Sequence, residues 1–95
     1  MKIIPKGQFQ FVWRKAEAQH TWHKKRIQAD TPEQAVERFA EHLRKGPAKA
    51  SMAHVVVDHL FLQGTGTDDP GRVSLRNYAH PFSYDYANVV YPPPK

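Results

Sequence analysis

One capped helical segment limits what this chain can fold into. Thr31 has the character of an N-cap, Pro32 suits the first helical position, and Gln34 follows the cap by three residues, as in a capping box. Gly46 and Pro47 end the segment. Apolar residues recur at helical spacing on one stripe, namely Ala35, Val36, Phe39, Ala40 and Leu43. The sequence therefore predicts one helix at about 32–45 with a single apolar side.

Alternating residues before this helix predict a hairpin at about 7–29. Its first strand places Phe9, Phe11 and Trp13 on one face, and Gln8, Gln10 and Arg14 on the other. In the second strand, an inward Ile27 and Ala29 send three residues outward, namely Trp22, Lys24 and Arg26. A one-residue bulge near the turn would instead move Trp22 into the core, and the sequence leaves both arrangements open.

After the helix, the pattern predicts further strands at about 53–91. A β-branched and aromatic run at 54–62 predicts one long strand covered on both faces, with His59 as a hydrogen-bonded interior residue. A return strand is expected at 72–78, a short strand around 82–86, and a last one at 89–91. The prolines of 92–95 predict an extended tail.

These elements predict the α+β class: one domain over 1–95, with an antiparallel sheet in the order β-β-α-β-β, room for a further short strand, and one helix on one face. The absence of cysteine excludes a disulfide scaffold and thiol catalysis. No apolar run approaches the roughly 20 residues of a membrane helix, so we expect no membrane partner and a cytoplasmic location.

The net charge of +5 is concentrated at one end of the chain. Residues 1–28 contain seven basic residues and one acidic residue, a charge of +6, whereas the remainder is close to neutral. A localised positive field attracts phosphates or an acidic protein face. This pattern favours a binding module over the alternative that net charge only keeps a small protein dissolved.

The basic hairpin favours a non-enzymatic module that contacts nucleic acid, either DNA or RNA. An exposed Trp22 would stack on an unpaired base. If about four phosphates are neutralised, log affinity falls against log salt with a slope near −3 to −4. The cationic residues predicted to neutralise phosphates are Arg14, Lys15, Lys24, Lys25 and Arg26, with Lys45 and Lys49 extending the track.

The alternative is a protein-interaction module that blocks a nucleic-acid-handling complex. Tyrosines combine contact area with a polar hydroxyl and are favoured at interfaces. The candidate anchors are Tyr78, Tyr84, Tyr86 and Tyr91. The sequence also leaves open a homodimer through an edge strand at 8–15 or through the tyrosine segment.

An enzyme is the least favoured class. His54 and Asp58 share strand parity, but positions four apart on a strand are too distant for one metal ion, and no HExxH spacing is present. The serines lack a nucleophile-elbow context. We therefore expect no catalytic residue, no metal site and no cofactor, with a His/Asp metal-dependent enzyme as the remaining alternative.

Residues 8–44 combine the predicted hairpin with the segment Asp30-Thr31-Pro32-Glu33-Gln34-Ala35. This strand–strand–helix opening resembles that of many small phage and mobile-element proteins, including some CRISPR inhibitors and some antitoxins of toxin–antitoxin pairs. The resemblance covers about a third of the chain. It implies an accessory protein that acts as an inhibitor or other binding partner rather than by turnover.

Overall fold

The computed structural model describes residues 3–17, 20–46, 55–78, 82–84 and 89–91, and of 83–84 the backbone only. These residues contain one α-helix and one sheet, in which all neighbouring strands pair antiparallel. This arrangement confirms the predicted α+β class. The elements are β1 (Gln8–Lys15), β2 (His23–Gln28), α1 (Pro32–Lys45), β3 (Val55–Val57), β4 (Leu60–Gln63), β5 (Gly71–Ser74), a short 3-10 helix (Leu75–Asn77), β6 (Ser83–Tyr84) and β7 (Val89–Tyr91).

Strand β1 organises the sheet because it is paired along both edges. One edge pairs with β2, in a register that sets Phe9 opposite Ile27. The other edge pairs first with β4 and then with β3, while β5 lies beyond β4, and β7 and β6 lie beyond β3. The expectation that residues 8–15 form an edge strand open to a second copy is therefore wrong.

The single long strand predicted at 54–62 is wrong, because Asp58 and His59 interrupt it. Between the pairs Trp13–Val57 and Gln10–Leu62, β1 has two residues and its partner has four. The backbone amide of Asp58 donates to the carbonyl of Val12 at 2.8 Å, and Oδ1 of Asp58 accepts from the amide of Leu60 at 3.2 Å. A side chain that bonds nearby backbone in this way competes with the ladder. Because the number of extra residues is even, odd-numbered side chains lie on the same side of the sheet in β3 and in β4, and even-numbered ones lie on the other side.

Three further strand predictions also need correction. The expected cover on both faces is not found among the described residues 55–62, since α1 packs on the side of Val57 and Phe61 and Leu60 on the other side is 40% exposed. His59 is exposed rather than interior. The return strand ends at Ser74, whose hydroxyl accepts from the amide of Arg76 and starts the 3-10 helix.

Helix α1 has the bounds that its caps predict. The Thr31 hydroxyl accepts from the Gln34 amide at 3.2 Å. The Gln34 side chain reciprocates by accepting from the Asp30 amide at 3.1 Å, one residue before the usual partner in a capping box. Arg38 donates to the carbonyl of Gln28 and thereby joins the helix to the end of β2.

The core is a column of stacked aromatic rings between α1 and the sheet. Phe11 stacks on Phe39 of the helix at 4.3 Å between centroids and on Phe61 of β4 at 4.5 Å. Beyond Phe39 the column continues through Phe82, at 6.1 Å, to Tyr91, at 5.6 Å from Phe82. The apolar stripe of α1 is buried against this column. Since the helix lies on this side, the opposite face of β1–β5 has no helix over it within the described residues.

Candidate functional site

The candidate site is the helix-free face, meaning the side of the sheet that carries Gln10, Val12 and Arg14 of β1. Residues directly opposite in antiparallel strands share a face, so the register defines its rows. One row runs across four strands and consists of Arg26, Gln10, Leu62 and Arg72. Adjacent strands lie about 4.8 Å apart, so Arg26 and Arg72 stand roughly 14 Å from one another at the two sides of this row.

A second row contains the exposed indole. Trp22 precedes β2, and the register continued from the Trp13–His23 pair places it across from Arg14. The guanidinium carbon of Arg14 lies 5.5 Å from the ring centroid of Trp22, a cation–π contact. The same guanidinium donates to the carbonyls of Lys15 and Ala16, at 3.2 and 3.1 Å. Trp22 is 47% exposed, so its ring is held by Arg14 and still open to solvent.

Lys24 and Arg26 lie on β2 two residues apart, so both project from the helix-free face and both are exposed. Lys24 is opposite Val12 in the register. Together with Arg14 and Arg72 they form what we call the cationic quartet. The strands β1 to β5 contain no acidic residue. Asp58, in the interruption between β3 and β4, accepts from the Leu60 amide and has its Oδ1 3.5 Å from Nδ1 of His59. The face therefore has an excess of positive charge.

Beside the cations of β2 lies an apolar floor that extends over β1, β4, β3 and β7. In this floor Leu60 is exposed and the other apolar side chains are half-buried. A contiguous apolar patch of this kind on a sheet face with no helix over it is unusual. The floor consists of Val12, Val56, Leu60, Leu62 and Val90.

The structure brings together four of the eight residues predicted for a nucleic-acid site, namely Arg14, Trp22, Lys24 and Arg26. Lys25 lies opposite Phe11 and therefore on the helix side, where it is half-buried. Burial, with the positive charge of Lys25 adding to it, holds the pKa of His42 below its ordinary value. Lys15 is opposite Val55, also on the helix side, at the exposed end of β1.

Of the two remaining lysines, the structure describes Lys45 alone. Lys45 is in the last turn of α1, with Nζ 3.3 Å from Oε1 of Glu41. Hydrogen bonds from Arg44 and Lys45 hold the pKa of the Glu41 carboxyl below its ordinary value. The basic end of the helix is thus partly neutralised within the helix. Lys49 lies outside the described residues.

The tyrosines predicted as partner anchors contribute to the core where the structure describes them. Tyr91 is only 9% exposed, at the end of the aromatic column. Tyr78 is half-buried 6.3 Å from Phe61, and burial, with the charge of Glu33 adding to it, raises its pKa. Tyr84 is described in its backbone alone, and Tyr86 lies outside the described residues. The placement of Tyr78 and Tyr91 offers little exposed ring surface to a partner.

Sequence reasoning missed Arg72 and the apolar floor. The alternation of Arg72 and Ser74 against Val73 was a usable local signal for the face of each side chain. Their neighbours were not predictable, because the pairing of β5 with β4 and of β4 with β1 is set by residues distant in sequence.

No family model, curated protein or solved structure matches this chain. Within the described residues, no three His, Cys, Asp or Glu side chains come close enough to hold a metal ion. His54, named with Asp58 as a ligand candidate, lies outside them. In the same part of the chain no helix has the length and apolar character needed to cross a membrane.

Proposed function

We propose that this protein is a non-enzymatic nucleic-acid-binding module that docks on phosphates through its helix-free face. The observation that carries the proposal is the placement of the cationic quartet and a half-exposed indole together on the helix-free face. Guanidinium and ammonium groups neutralise phosphates and release their counterions, which supplies most of the affinity in such complexes.

The proposal predicts a strong dependence of affinity on salt. If about four phosphates are neutralised, log affinity against log salt has a slope near −3 to −4. Fluorescence anisotropy with a labelled oligonucleotide at several salt concentrations measures it. A flat response contradicts the proposal.

Adjacent lysines on β2 provide a matched pair of variants. Lys24→Gln and Lys25→Gln change the net charge equally, but Lys24 is on the helix-free face and Lys25 is on the helix side. We expect Lys24→Gln to weaken binding and to reduce the salt slope by about 1, as for loss of one phosphate contact. Lys25→Gln should leave the slope near that of the wild type. Equal effects of the two variants would show that net charge, not this face, drives binding.

A second candidate is a protein-interaction module for an acidic partner, which the apolar floor with its exposed Leu60 favours. Poly-glutamate is the discriminating probe, since it offers negative charge without phosphates or bases. If the protein binds nucleic acid, an oligonucleotide of similar charge should displace poly-glutamate at equal salt. Stronger binding of poly-glutamate would favour the protein partner.

A further inference from the structure

We infer that the helix-free face selects single-stranded over double-stranded nucleic acid, with bases on the apolar floor and on Trp22 and phosphates on the flanking cations. This inference rests on the proposed function and names the substrate class of the same site.

The side chains of the helix-free face follow an order of charge and polarity across the sheet that suits a single strand. In the row Arg26, Gln10, Leu62 and Arg72, charged groups are at the two sides and the polar and apolar groups lie between them. In the next row, Lys24 of β2 is again a cation at the side and Val12 of β1, opposite it, is apolar. A duplex presents phosphates outward and keeps its base faces stacked inside, so it would cover this floor with charge. A single strand places apolar base surface on the floor while its phosphates reach the cations.

The Trp22 ring is both oriented and open to solvent. Arg14 is held by two carbonyls of the adjoining turn and lies over the indole, so the ring is oriented before any ligand arrives. Such preorganisation lowers the entropy lost on binding. The half-exposed ring offers a stacking surface that only an unpaired base can use.

The β1–β2 ribbon does not protrude from the sheet. Isolated two-stranded ribbons read duplex DNA by entering its major groove, which is about 12 Å wide. Here β1 is paired on its other edge with β3 and β4, so the ribbon is part of a sheet at least four strands across. Four strands span roughly 14 Å between their axes before side chains are added, which is too wide for that groove.

The test compares one oligonucleotide of mixed sequence, about 12 nucleotides long, alone and annealed to its complement. Anisotropy at fixed salt should give at least about fivefold tighter binding of the single strand, the effect of one stacked base. Trp22→Ala should weaken single-strand binding about 5- to 150-fold and leave duplex binding nearly unchanged. Trp22→Phe keeps an aromatic ring and should recover part of the loss.

Tryptophan fluorescence gives an independent readout of the same contact. We expect the single strand to quench emission of the wild type and not of Trp22→Ala, in which the buried Trp13 remains as an internal reference. Circular dichroism of each variant should match the wild type, because Trp22 lies at the surface.

The outcomes separate the two claims. Equal affinity for both forms, with Trp22→Ala affecting both alike, overturns strand selection and leaves phosphate binding intact. Absence of binding to either form overturns the proposed function itself. Tighter binding of poly-glutamate than of the single strand at equal salt overturns the proposed function as well, because it favours the acidic protein partner.

Discussion

At the scale of single residues, Lys24, Lys25 and Arg26 show how strand parity distributes similar charges. Lys24 and Arg26 face away from the helix, and Lys25 between them lies opposite Phe11. The half-buried Lys25 and the half-buried His42 therefore share the helix side of the sheet, where the first acts on the titration of the second. One strand of six residues thus supplies two cations of the helix-free face and a third positive charge that lowers the pKa of His42 on the other side.

His42 makes a testable contribution to the pH dependence of folding. Its pKa is lowered in the folded protein, by burial first and by Lys25 second. The unfolded chain, with a histidine pKa of about 6.5, therefore binds the proton first as the pH falls. We expect the free energy of unfolding to decrease between about pH 7 and the lower folded pKa of His42. Urea unfolding at a series of pH values measures this decrease.

Two variants isolate this effect from the other histidines. His42→Gln should remove its part of the pH dependence, and Lys25→Gln should reduce it by removing the second cause. An unchanged pH profile in His42→Gln would contradict the assignment.

At the scale of elements, prediction succeeded where the determining interactions are local. Thr31, Pro32 and Gln34 specify the start of α1 within four residues, and the helix begins there. The interruption of 54–62 was not predictable, because the bulge at Asp58 depends on the Val12 carbonyl, which is more than forty positions away. For the candidate site, alternation was sufficient to place Lys24 and Arg26 on one face. Trp22, for which the sequence left a core position open, and Arg72 required the structure.

The N-cap hydrogen bond of α1 has a measurable worth. Thr31→Ala removes the hydroxyl that accepts from the Gln34 amide and should lower the free energy of unfolding by about 1 kcal/mol. Thr31→Ser keeps the hydroxyl and is the matched control, with a smaller loss expected. Chemical denaturation measures both. Equal losses in the two variants would mean that the hydroxyl does not cap the helix.

At the scale of the whole molecule, the aromatic column joins the helix, the centre of the sheet and its last strand. Phe11 is fully buried and stacked on both sides, so its loss opens a cavity between α1 and β4. We expect Phe11→Ala to reduce the free energy of unfolding by about 3–5 kcal/mol. Leu60→Ala is the comparison, because the exposed Leu60 should cost much less. Similar losses in urea unfolding would contradict the central place of Phe11.

The outer edge of β2 affects how copies of this protein behave toward one another. In the described part of the chain, β2 pairs with β1 alone, so apart from the Gln28 carbonyl, which accepts from Arg38, its far side is an open strand edge of the kind that seeds aggregation. The consecutive positive charges Lys24, Lys25 and Arg26 stand along that edge. If two such edges met, three positive charges of one copy would lie against three of the other. The resulting repulsion opposes edge-to-edge pairing of copies. A polyanion that neutralised these charges would also remove the repulsion between the β2 edges of two copies.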